Sequence, residues 1–230
     1  MSKQIVLFIV EGFSDQNSFE NILNHLSNDR IKYKVIGGDI TLKSGTYNIK
    51  RKIKDKVLEF IDEPKNKFDL TDIKKIVHLV DIDGVFINNE YIIEDKSLKS
   101  LKYEDGKCFV KDKNQIIIRN ANKKRVLTML SNTNYIDVND NCIPYEIYYF
   151  SCNLEHVLHN NPNVETEAEK IELSNQFADQ YLGYENKFVT DINESEYSTQ
   201  STYKESWKKI IENDSEFLRL TNFNLFFKEE

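Results

Sequence analysis

Residues 5–10, IVLFIV, are apolar without interruption and rich in β-branched side chains, the pattern of a strand buried on both faces of a parallel sheet. With Gln4 they predict a strand over 4–10. The chain then turns polar, and "EGFSDQNSFENILNHL" repeats apolar positions Phe19, Ile22, Leu23 and Leu26 at helical spacing, so a helix with Ser14 as N-cap is expected. A second short strand over 32–36 ends at Gly37-Gly38, and "NIKRKIKDKVLEFID" places Ile49, Ile53, Val57, Leu58 and Ile61 on one helical stripe. Residues 74–80 give a third strand. Strands alternating with helices predict an α/β fold with a mostly parallel sheet flanked by helices.

After Gly84 the pattern breaks. Short alternating runs flank a turn at Glu104-Asp105-Gly106, so 85–118 reads as an inserted loop or hairpin where a crossover helix would otherwise stand. Helical character resumes at "NANKKRVLTMLSN". "IPYEIYYFS" reads as a strand entered through Pro144, and "NLEHVLHN" as a short helix. Beyond residue 165 the pattern is helical, with Ile171, Phe177, Tyr181, Trp207, Ile210 and Ile211 as packing residues and a break at "NESEYSTQST". A catalytic domain over 1–160 and a helical C-terminal extension over 161–230 follow, unless the tail packs on the sheet.

Composition adds exclusions. The 230 residues are 40 % hydrophobic, enough for a sizeable core, and carry a formal net charge of −7, so a polyanion must meet a local patch or a metal rather than a general positive field. The apolar run before Glu11 is too short for a signal-peptide core, and no stretch reaches membrane-spanning length. Cys108, Cys142 and Cys152 lack metal-ligand spacing, so reduced thiols and a cytoplasmic location are expected, with no membrane partner.

The chemistry concentrates in acids at predicted strand ends. Asp81 and Asp83 in "IVHLVDIDGVFIN" are two residues apart, so strand alternation would turn both to one side with Cα atoms roughly 6.6 Å apart. Glu11 closes the first strand, and parallel strands open their carboxyl ends on one edge, where α/β folds bind ligands. Carboxylates gathered there raise one another's pKa, which implies a compensating cation, and an oxygen-only donor set favours Mg²⁺ or Mn²⁺.

"VLFIVEGFSD" and "VHLVDIDG" together resemble the topoisomerase-primase (TOPRIM) fold: an apolar strand, Glu-Gly, an acid in the following turn, then Asp-x-Asp closing a later strand. The resemblance implies that Glu11 is a general acid or base or a metal ligand, Gly12 the turn residue, and Asp81 and Asp83 the Mg²⁺ ligands. Asp15 falls where nuclease members carry a further acid. "YYFSCNLEHVLHN" is similar to a segment of small TOPRIM proteins of bacterial defence clusters, related to OLD-type nucleases, which would make Glu155 another active-site carboxylate. A Mg²⁺- or Mn²⁺-dependent nuclease acting on DNA or RNA, tRNA included, in anti-phage defence is the function so implied. With no P-loop in the chain, the ATPase of a full OLD protein would be a separate partner.

Two other readings stay open. "DIDGVF" also resembles the opening of haloacid dehalogenase-like (HAD) phosphatases, with Asp81 as phosphoryl-accepting nucleophile, Ser151 as the strand-end hydroxyl, and Lys187 and Asp191 as the later elements. That alternative leaves Glu11-Gly12 without a role. The third reading is a non-catalytic TOPRIM-fold interaction module. Lys50, Arg51 and Lys54 in "KRKIKDK", and Lys123, Lys124 and Arg125 in "NKKR", are candidate phosphate contacts, although a lysine-rich helix face is often only solvated. Glu155 and the histidines His25, His78, His156 and His159 also read as ordinary helix-face residues, and Asp83-Gly84 as turn chemistry.

Overall fold

A computed structural model describes residues 4–38, 40–41, 48–213 and 218–229. The first strand, β1 (Gln4–Val10), is the hub of the fold: Ile5 through Val10 are all fully buried because the strand has a parallel neighbour on each side and helices over both faces. It is followed by α1 (Phe13–Leu26), β2 (Ile31–Gly37), α2 (Ile49–Asp62) and β3 (Ile73–Asp81). The sheet is completed by the hairpin β7 (Tyr135–Val138) and β8 (Asn141–Phe150), in the order β2-β1-β3-β8-β7. All pairings are parallel except β7 with β8. The expected α/β class is therefore observed.

Between β3 and β8 lie β4 (Ile92–Glu94), β5 (Lys102–Glu104), β6 (Lys107–Val110) and the long helix α3 (Lys113–Ser131). The three short strands form their own sheet, in which β5 and β6 make the expected hairpin around Asp105-Gly106. The insertion is shorter than the hydrophobic pattern suggested. Asp112 accepts from the Gln115 amide and caps α3, so "KNQIII" is the helix's first turn and not a strand.

Each face of the large sheet carries its own core. Ile5, Leu7, Ile9, Ile76 and Val80 pack toward α2, α3 and α7 (Tyr203–Ile211), whereas Val6, Phe8, Val10, Val77 and Leu79 pack toward α1. The second core also takes residues from α4 (Leu154–His159), α5 (Glu167–Tyr181), α6 (Glu185–Glu194) and α8 (Phe226–Glu229). Phe223, fully buried, meets Phe8, Phe19 and Phe150 ring to ring, and the Thr221 hydroxyl donates to the Tyr149 carbonyl. The tail thus packs directly on the sheet. Among its expected packing residues, Phe177, Tyr181, Trp207 and Ile210 are buried, but Ile171 is exposed.

Two local readings need correction. α1 starts one residue before Ser14, with Gly12 as N-cap, and it is the Asp15 carboxylate that accepts the Gly12 amide at 2.8 Å. β7 escaped the periodicity because it is only four residues long. Its signal was the Asn139-Asp140 pair, both with positive φ (51° and 66°), as a tight hairpin turn requires.

Candidate active site at the carboxyl ends of β1 and β3

Because β1 and β3 are parallel neighbours, Glu11 and Asp81 leave the sheet on the same edge. Glu11 is fixed from two sides. The Thr41 hydroxyl donates to its Oε1 at 2.5 Å, and the Lys123 Nζ stands 3.9 Å from its Oε2. Lys123 also donates to the Asp83 Oδ2 at 2.7 Å, with only 2 % of its side chain exposed. Burial works against that ammonium, but Glu11, Asp83 and Asp81 together outweigh it, and its pKa is raised.

Asp83 reaches this position differently from the way strand alternation predicts. β3 ends at Asp81, and Asp83 adopts a left-handed backbone, φ 49°, followed by Gly84 at φ 60°. That conformation costs an ordinary residue about 1–2 kcal/mol, less for Asp, and the surroundings hold it in place. The Asp83 amide donates to the Cys152 carbonyl at 2.9 Å, and the Gly84 amide to the Ser151 carbonyl at 3.1 Å. The Asp83 carbonyl accepts from the Tyr103 hydroxyl at 2.9 Å and from Arg119 at 3.4 Å. Tyr103 lies on β5, so the inserted sheet helps to set the acid.

Asp81 has the least compensated environment. Burial pushes its carboxyl well above the usual carboxylate range, and Asp15, Glu11, Asp83 and Glu155 each push it further in the same direction. Among the described residues no hydrogen bond or ion pair reaches the Asp81 carboxylate. Asp15 is raised by burial, partly offset by the Gly12 amide, Lys170 and the Ser14 hydroxyl. Glu155 is raised by burial too, with Lys170 opposing and Asp15 reinforcing. At 4 % exposure Glu155 is not a solvated helix residue.

The four other acids singled out from the sequence therefore all act electrostatically on Asp81. As they stand, no three Asp, Glu, His or Cys side chains among the described residues are grouped closely enough to hold a metal ion. The oxygen donors nevertheless suit Mg²⁺ or Mn²⁺. The excess of carboxylates over nearby ammonium groups is the charge deficit that a divalent cation would fill.

The basic candidates separate. Lys123 belongs to the acid cluster rather than to a solvated face. Lys50, Arg51 and Arg125 are exposed, Arg51 lying 3.9 Å from Asp55, and Lys54 is half-buried. Lys124 stands 5.8 Å from the Phe86 ring centroid, and burial lowers its pKa. Among the described residues no hydrogen bond or ion pair joins these five to the carboxylates.

His78 is not a helix-face residue. It lies in β3, fully buried, its Nδ1 2.8 Å from the Tyr145 hydroxyl, and burial with Lys123 pushes its pKa down to about 3, so the ring is neutral. Gly12 is extended (φ −119°), with room for a Cβ, so the turn does not require glycine there. Tyr145, Tyr148 and Tyr149, all on β8, are core residues.

Sequence reasoning missed Thr41, Tyr103, Arg119 and Lys170. Thr41 lies outside any helix or strand, and Tyr103 is the middle residue of a three-residue strand whose pattern does not show what its hydroxyl reaches. Arg119 and Lys123 were legible as an i, i+4 pair on one helix only once α3 was known to start at Lys113. Comparisons with family models, with curated proteins and with solved structures found no match.

Proposed function

We propose that the chain is a divalent-metal-dependent phosphodiester hydrolase acting on nucleic acid, with Asp81 at the centre of its site. One observation carries the reading: Glu11 and Asp15 from the β1–α1 junction, Asp83 beside Asp81 in sequence and Glu155 from α4 all act on Asp81, which is partly shielded from water and has no hydrogen bond or ion pair among the described residues. Uncompensated acids at a sheet edge are stable together only if a cation joins them or some hold protons. Asp81, Asp83, Asp15 and Glu155 are the residues that would hold Mg²⁺ or Mn²⁺. The bound ion would supply an activated water and neutralise charge at the phosphate. Glu11, oriented by Thr41, is placed to take or return a proton, and Lys123 to balance negative charge beside it.

The resemblance of "VLFIVEGFSD" and "VHLVDIDG" to TOPRIM proteins supports the same chemistry, and extends the proposal to phage defence beside a separate ATPase. The phosphatase alternative loses support from the placement of its residues. The Ser151 hydroxyl is spent on the Leu218 carbonyl, and Lys187 pairs with Asp191 at 2.8 Å on α6, where both remain partly exposed.

The test is incubation of the purified protein with single-stranded DNA, duplex DNA, tRNA and a phosphomonoester, with Mn²⁺ or with EDTA. Mn²⁺-dependent nucleic-acid cleavage that falls about a hundred- to a thousandfold in Glu11→Gln and Asp81→Asn is expected, on the scale of removing a charge-stabilising group from a site. Turnover of the phosphomonoester alone, with a trapped acyl-phosphate on Asp81, would overturn it in favour of the phosphatase. Mn²⁺ binding without any hydrolysis would leave an interaction module.

A further inference from the structure

The insertion and the first turn of α3 enclose a groove of about 540 Å³ that the site described above does not use. Its rim carries Lys96, Lys99 and Lys111, and its lining includes the apolar side chains of Leu101, Val110 and Ile116. Against these three ammonium groups the lining holds one carboxylate, Asp112, and Glu94 stands close by. Asp112 accepts the Gln115 amide, and Glu94 accepts the Lys113 amide at 3.1 Å and stands 3.8 Å from Lys96. In a chain of net charge −7 such a local cationic rim is where a polyanion can bind.

The groove is joined to the carboxylates by α3 itself. Gln115 lines the groove, Arg119 touches the Asp83 carbonyl, and Lys123 bonds the Asp83 carboxylate. These residues are four apart and so lie on one helix face, spanning about 12 Å at the α-helical rise per residue. Their exposure falls along the way: Gln115 is exposed, Arg119 half-buried and Lys123 buried. The face descends from an open cationic groove into the acid cluster.

We propose that this groove binds the backbone of a single-stranded nucleic acid, and that the Gln115-Arg119-Lys123 face leads the strand to the carboxylates. The lysines would meet phosphates, and the apolar lining one base face, a combination that tolerates any sequence and that a rigid duplex cannot offer. The inference names the substrate class of the site proposed above and rests on that reading only for what happens after binding.

The experiment measures fluorescence anisotropy of a labelled fifteen-residue oligothymidylate with the full chain in EDTA, so that cleavage plays no part. The wild type should bind the strand more tightly than a duplex of equal length. Lys99→Glu with Lys111→Glu should weaken binding at least tenfold and reduce the slope of log affinity against log salt by about 1.4, as the loss of two phosphate contacts requires. Both lysines are exposed, so circular dichroism should report an unchanged fold. Lys208→Glu with Lys209→Glu, both exposed on α7, serves as the charge control and should leave binding near wild type. Equal binding by the double groove variant, equal weakening by the α7 control, or displacement of the strand by inorganic phosphate at matched phosphate concentration would overturn the proposal. Binding that follows this pattern in a protein that cleaves none of the nucleic acids when Mn²⁺ is supplied would instead count against the hydrolase reading alone.

Discussion

The two sides of Asp81 treat negative charge in opposite ways. On the α3 side, Glu11 and Asp83 share a buried ammonium, and a hydroxyl and two carbonyl-directed donors hold their positions. On the side of α1 and α4, Asp15 and Glu155 have one lysine at longer range, Lys170, and Asp15 otherwise only uncharged donors, the Gly12 amide and the Ser14 hydroxyl foremost. The first side is compensated by the chain itself. The second stays acidic, and Asp81 between them takes the repulsion of both. A cation entering the cluster therefore gains most beside Asp81, Asp15 and Glu155, whereas beside Lys123 it must compete with a fixed charge.

The largest effect should follow from removing that fixed charge. Lys123→Met leaves Glu11 and Asp83 without their ammonium in a site where Lys123 was 2 % and Glu11 10 % exposed. Breaking a buried pair costs about 3–5 kcal/mol, and since Asp83 keeps 26 % of its side-chain surface, about 3 kcal/mol is expected. Urea denaturation at pH 7 measures it. A loss below about 1 kcal/mol would mean that water screens the pair as it screens surface bridges, and the contrast between the two sides would vanish.

Much of this contrast was legible in residue types and little of it in their environments. β1 and β3 announce themselves as apolar runs ending in acids, and in parallel strands a run that ends in an acid places that acid at the sheet edge. Glu11 and Asp81 could therefore be paired across seventy residues. Asp83 was named for an incomplete reason, since alternation stops at Asp81 and the left-handed backbone is imposed by Cys152, Ser151 and Tyr103, partners far off in sequence. Lys123 looked like one more charge in "NKKR". Only the tertiary placement of α3 shows which of those three side chains faces inward. Burial of Glu155 likewise depends on α4 sitting under the tail, where Arg219 donates to the Val157 carbonyl at 2.6 Å, a contact no local pattern carries.

Asp81→Asn tests the uncompensated centre, and its effect on stability should have the opposite sign. With the folded-state pKa raised above the ordinary 3.8, folded Asp81 holds a proton that the unfolded chain has released throughout the interval between the two values. Stability is therefore lost as pH rises through that interval, and asparagine removes the loss. The variant should match wild type near pH 4 and exceed it by about 1–2 kcal/mol at pH 8 without metal, the scale of one badly solvated polar group. His78 works the other way. Its folded pKa of about 3 lies below the ordinary 6.5, so its contribution disappears as pH falls, but it is common to both proteins and cancels in their difference. A pH-independent difference between the two proteins would show that Asp81 is not strained by its neighbours.

The smallest effect probes the acidic side from its rim. Lys170, half-buried on α5, lowers both Asp15 and Glu155 without forming an ion pair to either among the described residues. Lys170→Met should thus cost about 0.5 kcal/mol, the scale of a screened interaction, while moving both carboxyl pKa values further up in a ¹³C NMR titration. Lys123→Met and Lys170→Met then differ in stability several-fold although each removes one ammonium beside two acids. Equal losses would show that distance and burial do not separate the two sides, and that the cluster behaves as a single pool of charge. A larger loss in Lys123→Met, with upward shifts of Asp15 and Glu155 confined to Lys170→Met, would assign each lysine to its own pair and leave Asp81 as the carboxylate that neither one contacts directly.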